Sequence, residues 1–319
     1  MSAAGAESAN YPFCTIEPNV GIVTVPDPRL DALAGIVNPK QVLPTTVEFV
    51  DIAGLVRGAS KGEGLGNQFL GNIRSTDAIV HVVRCFVDEN IVHVEGSIDP
   101  IRDIEVVETE LLLKDMETVE KRLDKAKKMS KSGNKEAIAE AGLLGRLDAH
   151  LNDGKPARTF EYDKMETEIF KGLFLLTAKP VLYVTNVDED SVSDGNDMVE
   201  KVRTYAAEVG AQTTIISAAI ESEIAELEDD EKAEFLEGLG LEESGLDRLS
   251  RAGYALLGLK TYFTAGPKEV RAWTIRDGMK APQAAGVIHT DFEKGFIKAE
   301  TVGYDDFIAN EGFAGAKEK

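Results

Sequence analysis

Short apolar runs alternate with stretches of helical spacing over the first two-thirds of the chain. Val20 to Val25 (VGIVTV), Thr46 to Val50 (TVEFV), Ala78 to Cys85 (AIVHVVRC), Val181 to Thr185 (VLYVT) and Thr213 to Ile216 (TTII) are bounded by polar or glycine-rich residues and predict strands. The segments between them favour helices, one starting near Asn67 and another over Gly245 to Leu257. Strands that alternate with helices predict an α/β fold with a mostly parallel sheet.

The texture changes between about Asp103 and Leu151. Leu112, Met116, Val119, Leu123 and Ala126 recur at 4-3-4-3 spacing, a narrow helical seam. Ser132-Gly133-Asn134 interrupts it, and Ile138, Ala141, Leu144, Leu147 and Leu151 resume helical spacing. An antiparallel helical hairpin is predicted. The acidic segment Glu221 to Glu237 reads as a solvated helical face. After Thr261 the pattern turns β-rich again: strands are predicted over Val270 to Ile275 and Phe296 to Thr301, with a turn at Ala281-Pro282-Gln283.

Composition narrows the class. Asp and Glu number 56 against 35 Lys and Arg, a net charge of −21 that favours solubility and repels phosphate backbones, so no DNA partner is expected. One stretch reverses this. From Lys121 to Lys135 seven cations stand against the single Asp124, placing Lys121, Arg122, Lys125, Lys127, Lys128 and Lys131 near the hairpin tip. No apolar run reaches the ~18 residues of a membrane span, and the first residues carry neither a basic region nor an apolar core. The two cysteines, Cys14 and Cys85, lack metal-ligand spacing and suit a reducing cytosol; a cytoplasmic protein is expected.

Three strand-end motifs carry the chemistry. Asp51-Ile52-Ala53-Gly54 follows a β run and precedes the glycine-rich stretch from Gly58 to Gly66; such an aspartate can hold Mg²⁺ through water, and the Gly54 N–H can sense a γ-phosphate. Leu55 stands where Ras-type enzymes place a water-orienting glutamine. Asn186-Val187-Asp188-Glu189 resembles the guanine-reading N-K-x-D, with valine for lysine and glutamate for aspartate. That exchange disrupts the fork that matches guanine, while Asn186 can still bond an adenine edge, so ATP is expected over GTP. Ser217-Ala218-Ala219 completes the series as a ring-clamping loop, and Thr15 is a candidate switch threonine for Mg²⁺. No G-x-x-x-x-G-K-S/T occurs in the 319 residues. Gly253 to Thr261 misses that pattern by one inserted residue and extends a helical stretch.

Longer motifs carry a resemblance. Asn10-Tyr-Pro-Phe-Cys-Thr-Ile-Glu-Pro-Asn19, Phe49 to Val56, Gly62 to Phe69, His81 to Phe86, Asn186 with Glu189, Thr261-Tyr-Phe-Thr-Ala-Gly266, Ala281 to Gly286 and His289 to Gly295 resemble the YchF / Obg-like ATPase family, essentially end to end. The resemblance implies a Ras-like G domain interrupted by a helical coiled-coil insertion and followed by a small β-rich TGS domain. It divides the chain at 1–102 and 176–259 for the G domain, 103–175 for the insertion and 260–319 for the TGS domain. It further implies Mg²⁺-dependent hydrolysis of ATP (some members accept GTP) without a catalytic glutamine, Leu55 and Gly54 standing at that position. Association with ribosomes would give the lysine-rich tip a use in meeting ribosomal RNA; a plain solvated helix tip is the alternative. The family pattern also carries a phosphate-loop segment ahead of Ala4 and further strands at the end, so a chain clipped at both ends is expected. On that account an alternative function is a hydrolysis-silent module binding RNA or protein.

Overall fold

In the computed structural model, residues 19–52, 58, 65–93 and 95–318 are described. They contain β1 (Asn19–Thr24), α1 (Pro28–Val37), β2 (Gln41–Leu43), β3 (Thr46–Asp51), α2 (Leu65–Ser75), β4 (Ile79–Arg84), α3 (Pro100–Ser130), α4 (Lys135–Asn152), α5 (Thr167–Lys171) and β5 (Val181–Asn186). There follow α6 (Asp197–Glu208), β6 (Gln212–Ile216), α7 (Ala218–Glu226), α8 (Asp229–Gly238), α9 (Gly245–Leu256), β7 (Leu259–Ala265), β8 (Glu269–Arg276), α10 (Ala281–Ile288), α11 (Thr290–Lys294), α12 (Tyr304–Ala309) and α13 (Phe313–Glu318). The α/β class expected from the run pattern holds. Two compact units form, one over Val50–Gly245 and one joining Ile22–Phe49 to the residues from Leu246 onward.

In the first unit β4, β5 and β6 make a parallel sheet with β5 in the middle. Burial on both faces explains the unbroken apolar run of β5, where Val181 to Thr185 are all buried. Tyr183, Val83, Cys85 and Ile104 pack with Val199, Val202 and Ala206 of α6 and with Ile220 and Ile224 of α7. The acidic segment is therefore two helices whose apolar side contributes to this core, with Phe235 and Leu236 packed against it as well.

The hairpin forms as expected, and its caps are local. Asp99 accepts from the N–H groups of Ile101 and Arg102 with Pro100 in the first turn of α3, and Asn134 accepts from Ala137 N–H at the start of α4. Gly133 takes φ +78° in the turn, a conformation glycine adopts without penalty. The seam differs on α4. Ile138 is half exposed, and Ala137, Leu143, Leu144, Leu147 and Leu151 form the buried stripe instead, against Val119, Leu123 and Ala126.

The second unit holds a mixed sheet in the order β2-β8-β7, β2 parallel and β7 antiparallel to β8. Leu30 and Leu33 of α1 pack with Val270, Ala272 and Phe307. β1 and β3 pair as a two-stranded sheet. Two expectations fail here. Phe296 to Thr301 pairs with no strand among the described residues and is largely exposed, Ile297 almost entirely. Ala281-Pro282-Gln283 is the first turn of α10, where proline's fixed φ suits helix entry and Gln283 closes a capping box with the backbone N–H of Lys280.

Candidate nucleotide site

The parallel register brings the carboxyl ends of three strands level: Arg84 lies beside Asn186, and Asn186 beside Ile216. Ligands of open parallel sheets sit at this end. Two backbone bonds continue the alignment past the strands, Cys85 N–H to the Asn186 carbonyl at 2.8 Å and Val187 N–H to the Ile216 carbonyl at 2.9 Å. Asn186 Oδ1 accepts from Ala218 N–H at 2.9 Å. The side chain that was expected to read the base is thus oriented by the loop expected to clamp it. Because Oδ1 is engaged, the amide NH₂ of Asn186 is the group left to face a ligand.

Around this pair the roles divide. Val187 is buried in the core beneath the loop, so the position that carries lysine in guanine readers serves packing. Asp188 Oδ1 accepts from Ser191 N–H at 3.0 Å and caps the turn Glu189–Ser191, while Glu189 is exposed. Ala218 and Ala219 are exposed at the start of α7. Ser217 is buried, and its hydroxyl has no hydrogen-bond partner among the described residues. An orphaned hydroxyl beside Asn186 fits a loop completed by a ligand or a water. Asn196 escaped sequence reasoning: its Nδ2 donates to the Cys85 carbonyl at 2.8 Å, while its Oδ1 caps α6. An asparagine just before an amphipathic helix was the available signal.

Asp51 ends β3 as an exposed carboxylate. No hydrogen bond or ion pair among the described residues joins it to Asn186 or Ala218. Thr15, Gly54 and Leu55 lie outside the described residues. No group of three His, Cys, Asp or Glu side chains that could hold a metal occurs among the described residues. Beyond Asp51, Gly58 N–H donates to Glu110 Oε1 at 2.7 Å.

The cations of the lysine-rich tip are exposed, but two of them are used within the hairpin, Lys121 pairing with Glu117 and Arg122 with Glu140. Lys114 also bonds Glu117, at 2.7 Å, and the two lysines hold its carboxyl down at about 2. Lys125, Lys127, Lys128 and Lys131 form no ion pair among the described residues. No helix among the described residues is long and apolar enough to cross a membrane.

A family model described as "50S ribosome-binding GTPase" matches residues 1–129, and the C-terminal YchF-GTPase model, described as a protein of unknown function (DUF933), matches residues 259–319. "Ribosome-binding ATPase YchF" of Bacillus subtilis is 59% identical over 320 residues, covering 100% of this chain and 87% of its own length. Its counterpart in Escherichia coli O157:H7 is 55% identical with the same coverage. The structure of the Schizosaccharomyces pombe YchF GTPase matches with a TM-score of 0.84 and 40% identity, over 97% of this chain and 84% of that one. Fold, strand-end site and matches define a nucleoside-triphosphate hydrolase of the ATPase/GTPase class, with a G domain, a helical region and a C-terminal domain. Within that class, the chain belongs to the YchF family.

The expected clipping at both ends gains no support from these relatives, which match every residue of the chain. The hydrolysis-silent alternative gains none either, because the full-length matches are to proteins named as ATPases.

Proposed function

We propose that this chain is a Mg²⁺-dependent ATPase, ATP being preferred over GTP, that acts in association with the ribosome in the cytoplasm. The observation that supports the base preference is the Asn186–Ala218 bond beside a buried Val187 and a longer Glu189. This arrangement presents one amide to the base and lacks the short aspartate that accepts two bonds from guanine. A site lacking the matched acceptor leaves guanine donors unpaired, and each unpaired buried group costs about 1–3 kcal/mol. Asp51 and Thr15 would contribute to Mg²⁺ binding alongside the phosphates, and Gly54 with Leu55 would face the γ-phosphate without a glutamine.

The G domain is assigned to 1–102 and 176–259, the coiled-coil insertion to 103–175 and the TGS domain to 260–319. Ribosome contact is assigned to the tip, chiefly to Lys125, Lys127, Lys128 and Lys131, with Lys121 and Arg122 also available if their ion pairs exchange for phosphate. The names of the relatives support the ribosome as partner, and the charge reversal within an acidic protein supports RNA as the contacted surface.

Titration of the purified chain with Mg-ATP and Mg-GTP tests the nucleotide reading. ATP is expected to bind at least tenfold more tightly; equal or reversed affinities would defeat it. Reversing the charge at Lys125, Lys127 and Lys128 together is expected to release the chain from sedimenting ribosomes at physiological salt, and unchanged pelleting would remove the tip from the contact.

A further inference from the structure

At the carboxyl end of β4, Arg84 spends its guanidinium on main-chain carbonyls of the loop that follows. Its Nε donates to the Phe86 carbonyl at 3.2 Å, its Nη1 to that of Ile91 at 2.9 Å and its Nη2 to that of Asp88 at 3.1 Å. The guanidinium carbon also lies 4.6 Å from the centre of the Phe86 ring. Arg84 forms no ion pair among the described residues. A rigid fork with fixed donor directions serves three carbonyls at once, which an ammonium cannot do in the same geometry. The loop closes on itself within this frame. Asp88 Oδ1 accepts from Asn90 N–H at 2.8 Å, and Ile91 N–H donates to the Asp88 carbonyl at 3.3 Å.

The loop held in this way borders the base reader. Arg84 is the register partner of Asn186, and Cys85 N–H donates to the Asn186 carbonyl at 2.8 Å. Asn196 Nδ2 donates to the Cys85 carbonyl at 2.8 Å and to Ser191 Oγ at 3.4 Å, which ties the start of the loop to the turn that follows Asn186. Val87, Ile91 and Val92 are exposed on the loop. Apolar side chains left in water at the carboxyl end of a parallel sheet suit the wall of a ligand cleft, in which a few polar groups such as the Asn186 amide fix orientation.

We infer that Arg84 is a positioning residue for nucleotide recognition: by holding the carbonyls of Phe86, Asp88 and Ile91 it shapes residues 85–92 into a wall of the base cleft beside Asn186. This deepens the ATPase reading and rests on it. The base takes no part in phosphoryl transfer, so a wall beside it binds ground state and transition state alike. Loss of the wall should weaken binding and leave the chemical step nearly intact. A wall fitted to one base should also lose that base more than another.

The test uses the full chain with Arg84→Met, which keeps an apolar stem and removes every donor, and Arg84→Lys, which keeps the charge and loses the fork. Without nucleotide, amide exchange over residues 85–92 is expected to speed up at least tenfold in Arg84→Met, with peptides from β6 and α4 exchanging as in wild type. Mg-ATP affinity by calorimetry should fall about tenfold and Mg-GTP affinity no more than threefold, so that the ATP preference narrows. In the ATPase assay KM should rise in step with kcat within twofold, and Arg84→Lys should lie between wild type and Arg84→Met. Unchanged loop exchange, equally raised exchange across the unit, both affinities falling alike, or a lowered kcat at constant KM would each overturn the inference. Should Arg84→Met fail to fold, Arg84→Lys decides: a raised KM at constant kcat supports the inference and wild-type kinetics overturn it. If wild type binds neither nucleotide, the ATPase reading fails and takes the inference with it. If wild type binds ATP and both variants bind it equally well, the inference alone fails.

Discussion

Replacing Asp115 should show how much of the first unit depends on one buried carboxylate. Asp115 is completely buried within the apolar stripe Ile104, Leu111, Asp115, Val119 of α3. Its two oxygens take three bonds: Oδ1 from Leu176 N–H at 2.8 Å, and Oδ2 from both the N–H and the hydroxyl of Thr177 at 2.7 Å. Asparagine at this position keeps one oxygen, which can serve the two Thr177 donors. Its NH₂ then meets the Leu176 N–H, leaving donors on both sides without acceptors. At about 1–3 kcal/mol for each buried unsatisfied group, the gross cost is roughly 2–6 kcal/mol. One effect opposes it: burial lifts the Asp115 pKa above the ordinary carboxylate value, outweighing the bonds that lower it, so the neutral amide escapes a desolvation penalty. The lower part of the range follows, about 2–3 kcal/mol, from a domain stability of about 5–15 kcal/mol. Urea unfolding followed by far-ultraviolet circular dichroism measures this. Thr177→Val should couple to it, since that hydroxyl donates to Asp115 and also accepts from Ala157 N–H at 2.9 Å. A loss below about 0.5 kcal/mol for Asp115→Asn would refute the reasoning, because it would mean that the site relaxes or admits water.

Other expectations follow from single residues. Burial holds the His81 pKa down at about 4, against the pull of Glu108 and Asp103. Between pH 6.5 and about 4 the unfolded chain takes up a proton that folded His81 refuses, so stability falls as pH drops through that window, by roughly 2–3 kcal/mol. Denaturation of wild type and His81→Phe at pH 7.5 and 5 should show a smaller loss in the variant; equal losses would assign the dependence elsewhere. Phe174 is exposed and holds φ +49°, so Phe174→Gly should raise the urea midpoint by an amount worth about 1 kcal/mol, and a lowered midpoint would contradict this. Asn186→Ala should weaken ATP binding measured by calorimetry at least tenfold while leaving the melting temperature within a few degrees; unchanged affinity would remove Asn186 from the base site.

What was legible in the sequence was what local physics decides. The run VLYVT betrays β5 because burial on both faces demands continuous apolar residues, and the hairpin shows in its 4-3-4-3 seam. Asn186 and Ser217-Ala218 stand at strand ends, which are readable positions, and the register does bring them together. The failures share a different origin. Phe296 to Thr301 alternates like a strand, yet a strand exists only where a partner edge does, and no local pattern reports that. β2, three residues long, is a strand because β8 accepts it from far along the chain. Pro282 suggests a turn, although its ring favours helix entry equally well. Glu110 and Asp115 are buried on α3 without any local signal for it; the donors that justify their burial belong to segments about fifty to sixty residues away. On α4, Leu144, Leu147 and Leu151 are buried as the seam expects, while Ala137 and Leu143 turn inward and Ile138 outward.

The parallel pairing of Gln41 with Glu269, Val42 with Val270 and Leu43 with Arg271 has a consequence for synthesis. About 230 residues separate the partners, and at about 5–20 residues per second translation needs roughly ten to fifty seconds to deliver the second. The interval contains the whole of Val50–Gly245, whose parallel sheet β4-β5-β6 and hairpin α3-α4 pair within it and can assemble as it leaves the exit tunnel. The early segment, bearing Leu30 and Leu33, must keep its apolar side unsatisfied until β8 arrives. A stalled or interrupted chain would thus present a finished first body with a sticky leader, a form that nascent-chain chaperones are suited to shield.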